Sequence, residues 1–202
     1  MRTTHKSLLC LFVLILLSIV SFTEKIKSDI VDYYDISQSI DFNGLKYRLS
    51  WSSHPNNQYY KQEYIPQGNS ISKFEDMVVI DFLRSDITLL NAVQAQIKIL
   101  TDRKKTDAVC NYNLVNSPDG KEYILDFLMS EGDSNGISIL EWNAYHYKVY
   151  VDKAGHKGVL LFGVSHRAYD DKVQTFLASL KTYRDTYTNA LIGYSMPEIQ
   201  VK

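Results

Sequence analysis

Three consecutive runs decide the fold: KEYILDFLMS (121–130), ISILEWNAYHYKVYV (137–151) and KGVLLFGVSHRAY (157–169). Each is rich in β-branched and aromatic residues and bounded by turn formers. Gly132, Asp133, Asn135 and Gly136 separate the first two runs, and Gly155 and Gly158 mark the turn into the last. Short turns between such runs predict an antiparallel meander in the middle of a sheet. Successive strand side chains point to opposite faces, so the pattern also assigns faces. Tyr123, Leu125, Phe127 and Met129 make the expected core face of the first strand, with Glu122 and Asp126 opposite. Leu140, Trp142 and Ala144 do so in the second, with Glu141 and Asn143 pointing away. Leu160, Phe162, Val164 and Ala168 do so in the third, with Gly163, Ser165 and Arg167 opposite.

Beyond the meander, Asp170 and Asp171 suit the positive end of a helix. Val173, Phe176, Leu177, Leu180, Tyr183, Tyr187 and Leu191 give that helix a long apolar stripe. Gly193 and Pro197 end it, and Glu198–Lys202 either returns as a short strand or trails free. Upstream, residues 109–116 read as a strand closed by the turn Ser117-Pro118-Asp119-Gly120. A helix is expected over residues 87–101, started by Ser85 and Asp86, with Leu90, Val93, Ile97 and Leu100 as its apolar stripe. Gln94, Gln96 and Lys98 fall on its polar face, and Arg103, Lys104 and Lys105 complement its negative end. Strands are expected at 45–52, 59–65 and 77–83, with a turn at 67–70 and a short helical piece at 73–75. Strand runs joined by turns, with two helices, predict an α+β domain in which helices pack on an antiparallel sheet.

The chain opens with Arg2 and Lys6, then an unbroken apolar run from Leu8 to Val20. A basic start, a short apolar core and small residues at its end make a secretory signal over residues 1–23. The run is shorter than the roughly 20 residues a bilayer span needs, although an uncleaved N-terminal anchor is the alternative. Residues 24–43 are polar with scattered aromatics and read as a flexible tether, which leaves 44–202 as one domain. Without Arg2 and Lys6 the formal charge falls from −1 to −3. That argues against a nucleic-acid partner and against adhesion to anionic lipid. Only Cys110 remains after Cys10 is removed, so no internal disulfide forms, and a periplasmic or secreted domain of this kind rests on its core.

Tyr64-Ile65-Pro66-Gln67-Gly68-Asn69-Ser70, followed by Lys73-Phe74-Glu75-Asp76-Met77-Val78-Val79, resembles the opening pattern of exported bacterial proteins of PsbP/Mog1-like architecture, with Phe74 at a position usually occupied by Trp. The resemblance implies α-β-α layers and a binding or assembly role in the bacterial envelope, with no catalytic set to carry over.

The candidate chemistry lies on the meander. A turn at 153–156 sets Glu141 near Arg167 and Asn143 near Ser165. Such cross-strand pairs stabilise a sheet face by a few tenths to about 1 kcal/mol each. Read functionally, Glu141, Asn143, Tyr145, Ser165 and Arg167 line a ligand groove, with Tyr147 alongside. Gly163-Val164-Ser165-His166-Arg167 lacks the closing glycine and the strand-turn-helix context of a hydrolase elbow. His166 is expected near Trp142 on the core side, and Cys110 as a buried strand residue. His54, His146, His156 and His166 have no metal-ligand spacing. The sequence therefore predicts a non-enzymatic binding or assembly protein without catalytic residues, cofactor or metal, served by a protein or small-molecule partner. The alternatives are a hydrolase assembled from Asp126, Glu141, His146 and Arg167, and a structural envelope subunit held through an open sheet edge.

Overall fold

The computed structural model describes residues 30–36 and 39–202. The segment read as a secretory signal lies outside the described residues. Eight strands form one sheet: β1 (Ser39–Phe42), β2 (Leu45–Asn56), β3 (Tyr59–Pro66), β4 (Asp76–Leu83), β5 (Asn111–Asn116), β6 (Glu122–Asp133), β7 (Gly136–Val151) and β8 (Lys157–Tyr169). Helix α1 (Leu89–Arg103) follows β4 and α2 (Lys172–Gly193) follows β8. The strand order is β1-β2-β3-β4-β8-β7-β6-β5, and every neighbouring pair is antiparallel. Two four-stranded meanders thus start at opposite edges and meet where β4 pairs with β8. The expected three-strand meander forms β6–β8, running from the sheet centre toward one edge.

The expected α+β class, an antiparallel sheet flanked by helices in PsbP/Mog1-like α-β-α layers, is overturned. Strand makes up 47% and helix 22% of the described residues, so the body is sheet and each helix is a lone rod. The physical reason is curl. Phe42 on edge strand β1 sits 5.8 Å, ring to ring, from Phe162 on β8. Four strand steps on a flat sheet would hold them roughly 19 Å apart. The sheet bends around α2, burying Phe42 against Tyr187 and Tyr194 as well.

A second correction concerns the core. The apolar faces assigned to the three meander strands do not coincide. Leu125 is opposite Tyr145 and Leu128 opposite Trp142, so Leu125 and Phe127 belong to the face away from Trp142. Both faces are buried, each in its own cluster. The concave face carries Trp142, Leu140, Phe162, Val164, Val173 and Phe176. The convex face carries Val79, Val93, Leu100, Leu125, Phe127 and Leu161 under α1.

Local differences follow from the same packing. α1 is capped by Thr88, whose hydroxyl accepts from Asn91 N–H. It buries Leu89, Ala92, Val93, Gln96 and Leu100, which turns Leu90 to solvent and brings Gln96 inside. No helix forms at 73–75; Ser70 and Lys73 make an isolated bridge there instead. Within the segment read as a tether, Tyr34 is fully buried and its hydroxyl donates to Tyr60 O and Ile80 O. Its last residues form β1, joined to β2 by a tight turn with both Asn43 and Gly44 at positive φ, the geometry that Asn-Gly favours. Residues 199–202 pack as an extended tail. Ile199 and Val201 are buried, and Gln200 N–H and Lys202 N–H donate to Tyr34 O and Tyr33 O.

Candidate functional site: a charged pocket on the convex face

Antiparallel register places Glu141 opposite Arg167, Asn143 opposite Ser165 and Tyr145 opposite Gly163. All five predicted residues, Glu141, Asn143, Tyr145, Ser165 and Arg167, line one pocket of about 140 Å³. They are linked. Ser165 Oγ donates to Asn143 Oδ1. Asn143 Nδ2 donates to Glu141 Oε1 at 2.9 Å. Arg167 Nε donates to Glu141 Oε2. The Arg167 guanidinium lies over the Phe74 ring, 4.3 Å from its centroid, a stacking that orients a planar cation.

The rest of the pocket comes from β3, β4, β6, α1 and the segment between β3 and β4. On β3, Lys61 Nζ pairs with Glu63 Oε1 at 3.0 Å. The roof is α1, through Gln96, Ile99 and Arg103; Ile71, Met77 and Val79 supply an apolar side. Tyr145 lies across β8 because Gly163 leaves room: a Cβ there would meet the Tyr145 ring and a Val79 methyl at 2.6 Å each. The roof is pinned by charge. Arg103 Nε donates to Asp107 at 3.0 Å, and Asp107 also accepts from Ser130 N–H and Oγ–H at 2.7 Å each. Burial pushes the Asp107 carboxyl up, and the bonds from Ser130 and Arg103 more than offset this and hold it below its usual value.

Beside the pocket the same strand face holds a buried charge. Asp81 is opposite Lys61, and its Oδ2 accepts from the Tyr59 hydroxyl at 2.9 Å. Its Oδ1 is buried with no hydrogen-bond partner among the described residues. Burial pushes this carboxyl up to about 6, against the opposing pull of Lys61 and of the Tyr59 bond. Lys61 is drawn down by burial but lifted further by Asp81 and Glu63, so it stays charged. Burial, with Glu141 and Asp81 adding, pushes the Tyr145 hydroxyl well above its ordinary value, which keeps it a donor at neutral pH.

The four residues of the hydrolase alternative do not converge. Glu141 and Arg167 face α1. Asp126 faces α2, where it holds Arg184 and accepts from Trp142 Nε1. His146 bonds Glu122 at 2.7 Å on that same side, so two members of the set are separated from the other two by the sheet itself. His166 sits on the concave side, against Phe176 and Tyr183, and bonds Asp76 at 2.8 Å. Cys110 is buried just before β5, and burial raises its thiol. Among the described residues no group of three or more His, Cys, Asp and Glu is arranged to hold a metal ion, and no helix is long and apolar enough to cross a membrane.

Lys61, Glu63, Gln96 and Arg103 escaped the sequence reading. The alternation Lys61-x-Glu63 in a predicted strand put both on one face and was a usable signal. Gln96 was hidden because it was assigned to the polar face of the helix, and Arg103 because it was read as a cation complementing the helix's negative end.

A family model of uncharacterised function matches residues 34–196. The chain belongs to that family. The matched span holds every pocket residue. It does not connect the chain with PsbP/Mog1-like proteins. No curated protein and no solved structure matches.

Proposed function

We propose that this protein is an exported, non-enzymatic binding protein of the bacterial envelope that holds a small polar molecule in the convex-face pocket. The observation that carries it is the chain Ser165–Asn143–Glu141–Arg167 lining a cavity with an apolar side. Buried polar groups cost free energy unless bonded, and a fixed polar row beside apolar walls is how small-ligand sites obtain orientation. The volume is below the roughly 300–1,000 Å³ of drug-sized sites, which suits a molecule of amino-acid size. Export is supported by the apolar run Leu8–Val20 behind Arg2 and Lys6.

The test is native mass spectrometry of the protein purified from its own envelope, beside the variant Glu141→Gln. A small molecule retained by the wild type and lost from the variant supports the reading. Turnover on ester, glycoside or peptide substrates that Glu141→Gln abolishes overturns it.

A further inference from the structure

Resting on the pocket reading above, we infer that the ligand is a small zwitterion, an ammonium and a carboxylate on a short apolar body such as an apolar amino acid. The pocket carries charge of both signs in a sheltered place. The Glu63 and Glu141 side chains are each 12% exposed, Lys61 is 17% and Arg167 24%. Arg103 adds a third cation on the roof, 18% exposed and already held by Asp107.

A bare anion entering here meets two carboxylates close by. A bare cation meets three basic side chains. Shielded from water, either mismatch costs far more than at a surface. A neutral apolar molecule strips the remaining water from these paired charges and offers them no bond in return. A zwitterion lies head to tail against an ion pair, its ammonium toward Glu141 or Glu63 and its carboxylate toward Arg167 or Lys61. The guanidinium suits that carboxylate, because its planar fork can grip two oxygens at once. Tyr145, kept protonated, and the amides of Asn143 and Gln96 add donors for the same end.

The apolar body is accommodated by the other wall. Ile71, Met77 and Met129 line the pocket with Phe74 and Phe127, and methionines adapt to irregular shapes. The small volume limits the ligand to one such body rather than a chain of them. Gly163 contributes by absence: a side chain there would collide with the Tyr145 ring and with Val79, both of which line the pocket.

The experiment is isothermal titration calorimetry of the full chain with L-leucine, L-leucinamide, which lacks the carboxylate, and N-acetyl-L-leucine, which lacks the ammonium. Leucine should bind at least tenfold more tightly than either relative, and Ser165→Ala, which leaves both ion pairs in place, should weaken it several-fold. If the amide or the acetylated compound binds as well as leucine, the zwitterion is wrong while the pocket reading stands. If none of the three binds, native mass spectrometry with a small-molecule extract decides. A retained zwitterion of another kind supports the inference; a retained ligand lacking either charge overturns it alone; retention of nothing overturns it and the pocket reading together.

Discussion

The two faces of this sheet solve the same problem differently. The concave face wraps α2 and mixes aromatic rings with aliphatic side chains. Trp142 packs edge-on against Tyr183, Tyr183 stacks on Tyr187 at 4.1 Å, and Phe162 stacks on Tyr194 at 4.6 Å. The polar groups there are mostly tied: Asp76 accepts from both His166 and Tyr183, and Asp126 accepts from Trp142 and Asn113. The convex face carries α1 over only part of its breadth, and the remainder is filled by ion pairs and a cavity. A curl closes one side and opens the other. The open side therefore has room for a ligand, and the closed side carries most of the apolar stability.

The sharpest way to break that contrast is Trp142→Ala. Removing a fully buried indole from the concave face should cost about 3–5 kcal/mol, read as a fall in the urea midpoint at constant slope. A loss below about 1 kcal/mol would show that the concave face is not the main support.

On the convex face the expected effect is smaller and depends on pH. The folded-state carboxyl of Asp81 sits at about 6 against 3.8, so the folded protein binds this proton more tightly than the unfolded chain does. Stability from this group is therefore present below pH 4 and lost as pH rises through about 6, by up to about 3 kcal/mol. Asp81→Asn removes the dependence. Its stability relative to wild type should rise between pH 4 and pH 7, measured by urea unfolding at both. A difference that stays flat would mean that Lys61 already neutralises the buried charge.

Gly163→Ala inserts a methyl group between Tyr145 and Val79. Overpacking of that kind should cost about 1–3 kcal/mol and block the pocket, leaving near-UV signals of the concave-face aromatics unchanged. The smallest effect is expected from Leu90→Ala. Leu90 is 44% exposed on α1, so its loss should stay within about 0.5 kcal/mol, whereas Val93→Ala, in the fully buried position beside it in the stripe, should cost more.

Much of this was legible in the residues. Strong alternation and glycine-bearing turns placed β6, β7 and β8, and the Val173-to-Leu191 stripe placed α2. The pairs Glu141–Arg167 and Asn143–Ser165 followed from the turn between β7 and β8. What the residues did not reveal is which face each strand's apolar side joins. Where both faces are buried, strands read as apolar throughout, and alternation no longer tells inside from outside. That is why Leu125 and Trp142 were assigned to one core. Leu90 misled for a related reason: Ala92 and Gln96 do not look like core residues, so Leu90 was drawn into the stripe with Val93, Ile97 and Leu100, which do face the core. β1 was missed although Asn43-Gly44 signalled a hairpin, because Ser39–Phe42 is only four residues long and half polar.

The segment at Ile199 and Val201 has a consequence for how residues 33 and 34 are held. Val201 N–H is taken by Asp152, and the flanking amides are taken by Tyr33 and Tyr34. Those two tyrosines are therefore clasped from two sides: the Tyr34 hydroxyl and the Tyr33 amide reach the sheet, while their carbonyls hold residues 200 and 202. A strap fastened at both its edges yields only when both fastenings are undone.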